Sequence, residues 1–139
     1  MIVLDTNVLS ELMKARPSDA VIAWLDRQIA DSVWITCLTV LEIRYGIELL
    51  DNGERRLRLG QAFTAVVQRV LAGRVLDMDS IAADHTARLS ALAKKRGRSM
   101  EIRDAMIAGI ALQHGAILAT RNSKQFTDCG VELLDPWQA

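Results

Sequence analysis

Apolar residues in this chain fall into short runs separated by stretches of helical spacing. Ile2, Val3 and Leu4 form the first run, which stops at Asp5-Thr6-Asn7 and predicts a buried strand ending in a polar loop. Val33-Trp34-Ile35-Thr36 is a second, β-branched and aromatic run, Val75-Leu76 a minimal third, and Ile117-Leu118-Ala119 and Val131-Glu132-Leu133-Leu134 are the last two. Between them the period changes. Ser18 is placed to cap a helix carrying Val21, Ile22, Leu25 and Ile29. A helix is predicted from about Leu38 to Leu50, closing at Asn52-Gly53, and another from Glu54 to about Leu71, with Gly73 beyond its end. Residues 79–96 form a further amphipathic helix that ends in Lys94-Lys95-Arg96. From Arg103 to His114 nearly every position is apolar, and Gly115 is placed to end that helix. A helix apolar all round belongs in the interior.

Short apolar strands separated by helices need crossover connections. The expected fold class is therefore α/β, a three-layer α/β/α sandwich with a mainly parallel central sheet. Half the residues are hydrophobic and only 4% aromatic, so the core must be built largely of Ala, Leu, Ile and Val. The 139 residues fit a single domain over 1–139, since one core commonly takes roughly 100–200 residues. No apolar run reaches the roughly 18 residues of a spanning helix, and Met1-Ile2-Val3-Leu4 meets Asp5 before a signal-like core forms. A soluble, cytoplasmic protein without membrane contact is the expectation. Cys37 and Cys129 show no metal-ligand spacing and are expected to be free, buried or half-buried thiols in a reducing compartment.

Net charge is zero, but its distribution is uneven. Residues 1–54 hold nine acids against four bases, whereas residues 55–103 hold eleven bases against four acids. That asymmetry allows a basic surface beside an acidic pocket. In parallel sheets the chemistry gathers outside the carboxyl ends of the strands, which draws attention to Asp5. It reads equally as a turn or cap aspartate. Glu42 lies inside a predicted helix, and its neighbours three, four and seven away, Leu38, Tyr45, Gly46 and Leu49, make a mostly apolar stripe. A carboxylate there needs a partner or an ion, and a salt bridge to Arg44 or Arg103 would serve. Asp104 opens the most apolar helix with Ile107, Ala108 and Ala111 on its face, and an N-cap role is its second reading. Brought together, three carboxylates repel: each pair at ~4 Å costs about 4 kcal/mol at an effective dielectric near 20. A divalent cation removes that penalty, and oxygen-only ligands favour Mg²⁺ or Mn²⁺ over zinc.

Four segments in order give the sequence a family likeness: Asp5-Thr6-Asn7, Leu41-Glu42-Ile43-Arg44-Tyr45-Gly46, Asp104-Ala105-Met106-Ile107-Ala108 and Thr120-Arg121-Asn122. With them the chain resembles PIN-domain proteins, in particular the VapC or FitB-type toxins of toxin–antitoxin pairs. The ending Asp135-Pro136-Trp137 is similar to FitB-type members. The resemblance implies a PIN-like sheet and an endoribonuclease that hydrolyses RNA phosphodiesters with a metal-bound water. Asp5, Glu42 and Asp104 would ligate Mg²⁺ or Mn²⁺ directly or through water, with Thr6 and Asn7 supporting the first loop. It further implies a homodimer and a small cognate antitoxin whose tail occupies the groove near the site, with DNA reached only indirectly through that antitoxin. One departure stands out. Where many members place Asp after Thr-Arg, or an acid three residues later, this chain has Asn122 and Gln125. An amide accepts from water but brings no charge, so a single ion is expected, with Asp128 the nearest later acid. The alternative is a catalytically weak or inactive module acting through antitoxin and DNA-associated complexes.

Arg121 follows a strand beside the predicted pocket and can neutralise a phosphate or pair with a cluster carboxylate. Lys94, Lys95, Arg96, Arg98 and Arg103 form one basic cluster and Arg55, Arg56 and Arg58 another, readable as RNA-phosphate contacts or as ordinary solvated faces. His85 and His114 lie in no nucleophile motif, so a catalytic triad is not indicated. His114 suits a helix C-terminus, and Tyr45, Trp24, Trp34 and Trp137 read as core or dimer-contact residues.

Overall fold

The alternation within β1 (Ile2–Leu4) sets the layers. Ile2 and Leu4 project to one side and Val3 to the other, and each side meets its own apolar cluster. The computed structural model describes residues 1–139 and places β1 at the centre of a five-stranded sheet in the order β3-β2-β1-β4-β5. The other strands are β2 (Val33–Thr36), β3 (Val75–Leu76), β4 (Ile117–Ala119) and β5 (Leu133–Leu134), and every pairing is parallel. Six helices cover the sheet: α1 (Thr6–Leu12), α2 (Asp19–Asp26), α3 (Cys37–Glu48), α4 (Glu54–Ala65), α5 (Ser80–Lys95) and α6 (Ile102–Gln113). One cluster joins Val3 and Leu118 to α5 and α6, and the other joins Ile2, Leu4, Val33 and Ile35 to α1, α2 and α4. This is the three-layer α/β/α arrangement expected of short apolar strands with crossover helices. No helix is long and apolar enough to cross a membrane.

Four details depart from the sequence reading. A helix begins at Thr6 where a polar loop was predicted. Asp5 stands in extended geometry (φ −68°, ψ 159°) and caps α1 by accepting from the Thr6 N–H at 2.8 Å, while Val8 and Leu9 are buried against the sheet. Ser18 occupies the cap position of α2 without using its hydroxyl; its backbone N–H instead donates to Glu11 Oε2 at 3.0 Å. The helix predicted from Glu54 to Leu71 keeps its α form only to Ala65 and continues as one π turn, Val66–Val70. The last strand shrinks to Leu133–Leu134. Gly115 ends α6 as predicted, with φ +59° and His114 as the C-cap, and both cysteines are free, Cys129 buried and Cys37 half-buried.

The chain runs from β1 to β2 and β3 on one side and returns to β4 and β5 on the other. The seam between the carboxyl ends of β1 and β4 is therefore the crevice where open α/β sheets place their ligands. It is closed at the backbone by the Asp5 N–H, which donates to Ala119 O at 2.9 Å, while on the far side of β4 the Thr120 N–H donates to Leu134 O of β5 at 2.9 Å.

Helix α6 reaches the seam because it packs hard against α5 at Gly109. A Cβ at that position would collide with the Thr86 hydroxyl and stand 2.8 Å from the Ala82 carbonyl, which accepts from that same hydroxyl. Gly109→Ala should destabilise the fold by ~1–3 kcal/mol through overpacking, although alanine is the better helix former. A lower midpoint of thermal or denaturant unfolding checks this; an unchanged or raised midpoint would mean that the two helices separate freely.

Candidate active site

Asp5 is 4% exposed and fixed by three donors. Its Oδ1 accepts from the Thr6 N–H at 2.8 Å, and its Oδ2 accepts from Asn7 Nδ2 and from Thr120 Oγ1, each at 2.8 Å. Burial raises its carboxyl above the ordinary carboxylate range, and the bonds from Thr120, Thr6 and Asn7 act against that rise. Thr120, wholly buried at the end of β4, also accepts from the Asn122 N–H at 3.0 Å. Asn7 crosses the same seam, because its Oδ1 accepts from the Arg121 N–H at 3.2 Å.

Glu42 arrives from α3, whose cap residue Thr36 accepts from the Thr39 N–H. Thr39 and Glu42 lie one turn apart on the face turned toward α1. Thr6 Oγ1 donates to Glu42 Oε1 at 3.1 Å and lies 3.0 Å from the Thr39 hydroxyl. Since Thr6 has one hydroxyl proton and gives it to Glu42, Thr39 donates to Thr6, and the order of the relay is fixed. Burial lifts the Glu42 carboxyl above its usual range, the Thr6 bond and the charge of Arg103 oppose this, and the charges of Asp5 and Glu101 add to it. Neither arginine forms the salt bridge considered from the sequence. Arg44 lies over the Phe63 ring at 4.8 Å, and Arg103 bonds Glu101 at 3.1 Å.

Asp104 is the third residue of α6 and not its cap. Glu101 holds the cap position, with Oε2 accepting from the N–H groups of Arg103 at 2.9 Å and Asp104 at 3.3 Å. Burial would raise the Glu101 carboxyl, but its bonds from Arg103 and the Asp104 N–H hold it below the usual range. The half-buried Asp104 carboxylate accepts no hydrogen bond from the protein. Its burial, with the charges of Asp5, Glu101 and Glu42, pushes it up to about 6 against the partial relief of Arg103. Asp104 thus feels the charges of Asp5 and Glu42, and Glu42 that of Asp5, yet no three acidic, histidine or cysteine side chains stand as a closed ligand set. Like charges keep apart until a cation lies between them.

Asn122 is exposed, and only its backbone N–H is tied to the site, through Thr120. Asp128 is taken by Arg98 at 2.6 Å and joins no acidic cluster. In the basic clusters, Arg56 pairs with Glu48 at 2.6 Å, while Lys94, Lys95 and Arg96 are exposed. Of the residues read as core or dimer contacts, Trp24 is buried in the core, and Tyr45, 59% exposed, is not a core residue of this chain. The sequence reading missed Thr39 and Glu101. Thr39 was findable from its place three residues before Glu42; glutamate is an unusual cap, so Glu101 gave little signal.

Asp104 generates a pH dependence. Its folded-state value near 6 exceeds the ordinary 3.8, so the folded protein binds this proton more tightly than the unfolded chain. This group's contribution to stability therefore falls as pH rises through that window, and the full cost is present above it. In chelator-treated protein, Asp104→Asn should raise the unfolding midpoint at neutral pH and flatten its decline across the window. An unchanged or lower midpoint at neutral pH would contradict the electrostatic reading.

Residues 2–130 match the family described as the PIN domain. The chain is 41% identical over 138 residues to the VapC ribonuclease Y4jK of Sinorhizobium fredii, covering 99% of each chain. It is 36% identical over 137 residues to toxin FitB of Neisseria gonorrhoeae, again covering 99% of each. The solved structure of FitAB bound to an IR36 DNA fragment superposes with a TM-score of 0.88 at 36% identity, over 99% of this chain and 96% of that one. The parallel sheet, the acidic seam between β1 and β4 and the match along residues 2–130 agree, and the chain belongs to the PIN-domain family.

Proposed function

We propose that this chain is a metal-dependent endoribonuclease, the toxin of a toxin–antitoxin pair. The observation that carries this reading is the Asp104 carboxyl, which has no protein donor and is pushed up to about 6 by burial and by three neighbouring acids. A cation at that place relieves a repulsion that no arginine neutralises by direct pairing. Asp5, Glu42 and Asp104 would hold it, directly or through water. Oxygen-only donors select Mg²⁺ or Mn²⁺. The donor set fits: Glu42 Oε2 is free of protein donors, and Asp5 Oδ1 uses only one of its two lone-pair directions. Full-length likeness to a VapC ribonuclease and to toxin FitB supports the same assignment.

A bound ion would supply positive charge to the phosphate oxygens and acidify a water for attack on the phosphodiester. The chain's own residues do the positioning. Thr120, Asn7 and the Thr6 N–H hold the Asp5 carboxylate, and the Thr39–Thr6 relay holds Glu42 Oε1. Asn122 contributes a neutral amide at the rim, which favours one ion over two. The partners we assign are an RNA substrate, a second copy of the chain and a small antitoxin, with DNA contacted only through the antitoxin; the similar FitAB has been solved bound to a DNA fragment. Leu41 and Tyr45 on α3 and Leu49 at its C-cap stand exposed at one-turn intervals and give a partner an apolar stripe. The alternative, a catalytically inactive module working through its complexes, draws on the neutral Asn122 and on the open arrangement of the three acids.

Protein freed of its partner should cleave RNA with Mg²⁺ or Mn²⁺ and stop when EDTA is added. Asp5→Asn should lower the rate at least about 100-fold, since even supporting residues of metal sites cost about 10–100-fold. EDTA-resistant cleavage, or full activity in Asp5→Asn, would remove the mechanism, and inertness with intact partner binding would favour the alternative. Thr120→Val, which takes one donor from Asp5, should fall in the about 10–100-fold range with folding retained, as read by rate and circular dichroism.

A further inference from the structure

Arg121 is an arginine at the seam whose guanidinium pairs directly with no protein acid. It follows Thr120, the donor to Asp5 Oδ2, and its backbone N–H bonds Asn7 Oδ1, while Asn7 Nδ2 itself donates to Asp5. The Arg121 backbone is thus tied to the acidic pocket through a single amide side chain. Its guanidinium does not turn into that pocket. It lies over the Trp137 ring, 4.6 Å from the centroid, and none of its N–H groups has a protein acceptor. Glu11 is an acid that feels its charge, and the carboxylate of Glu11 is already bonded by Lys14 Nζ at 2.8 Å and the Ser18 N–H at 3.0 Å.

Trp137 is itself held in place. Its backbone N–H donates to Asp135 Oδ1 at 2.9 Å, and its half-buried side chain packs against the cluster that contains Leu4 and Ala119. A guanidinium stacked on a fixed indole keeps its in-plane donors available and has lost part of its rotamer freedom before any ligand arrives. An exposed, pre-oriented, unpaired guanidinium matches one class of ligand at this place, the phosphodiester of a nucleic acid strand.

The geometry points to Arg121 as the residue that binds an RNA phosphate flanking the acidic pocket, with Trp137 as the positioning residue that holds its guanidinium for that contact. This rests on the ribonuclease reading and adds to it where the strand is gripped. It also gives the ending Asp135-Pro136-Trp137 a task beyond packing.

The test combines cleavage kinetics with fluorescence-anisotropy binding of a labelled single-stranded RNA oligonucleotide over a series of salt concentrations. In Arg121→Gln, KM and Kd should each rise roughly tenfold while kcat stays within about twofold. The slope of log affinity against log salt should shrink by about 0.7, the loss of one single-strand phosphate contact. Arg121→Lys keeps the charge but not the stacked fork, so the slope should survive while KM rises by a smaller factor. Trp137→Phe should resemble wild type, and Trp137→Leu should resemble Arg121→Lys. A lowered unfolding midpoint in Arg121→Gln with unchanged KM, Kd and salt slope would show that the stack only braces the chain ending and would overturn the proposal. Cleavage by the wild type with an unaltered Arg121→Gln would sink this inference alone; a wild type that neither binds nor cleaves RNA would sink the ribonuclease reading with it.

Discussion

Everything at the seam follows from placing the Asp5 carboxyl where almost no water reaches it. A buried carboxyl at 4% exposure is costly to ionise, and one backbone and two side-chain donors, all at 2.8 Å, offset part of that cost while burial still raises its pKa. Those donors come from both edges of the crevice, Thr6 and Asn7 from the β1 side and Thr120 from the β4 side. The carboxylate therefore fastens β1 to β4 beyond the point where their ladder ends. The same contacts start α1 immediately after the strand, which is why the segment folds as a helix and not as a loop.

Once Asp5 is fixed, the neighbouring acids take unequal positions. Glu42 is steadied by a hydroxyl relay and by the more distant charge of Arg103. Asp104 has no donor of its own and only the partial relief of the Arg103 charge, because Glu101 has taken both the helix cap and the direct bond from Arg103. The arginine nearest the cluster is thereby spent on a fourth acid outside it. Strain from like charges concentrates on Asp104, so a single position carries most of the demand for a cation. A folded core can hold this arrangement because α6, apolar around most of its circumference, is clamped against α5 at Gly109 and cannot withdraw Asp104 from the seam.

The sequence by itself determined the fold class and singled out the three acids of the candidate site. Three-residue apolar runs alternating with helical spacing admit few solutions besides a covered parallel sheet, and Asp5, Glu42 and Asp104 are conspicuous because each interrupts an apolar pattern. Gly115 and His114 at the end of α6 were equally legible, since a helix stop depends on local backbone preferences. Only the tertiary structure decided the identities of partners. Thr39 and Glu101 matter through neighbours brought in by packing, Arg121 turned to Trp137 and not to a carboxylate, and Asp104 lost the cap to a residue three positions earlier. The reason is range. Burial patterns and turn chemistry are set by residues a few positions apart, whereas the hydrogen bonds and charges that tune this site join positions as distant as Asp5 and Thr120, which meet only when the sheet closes between them.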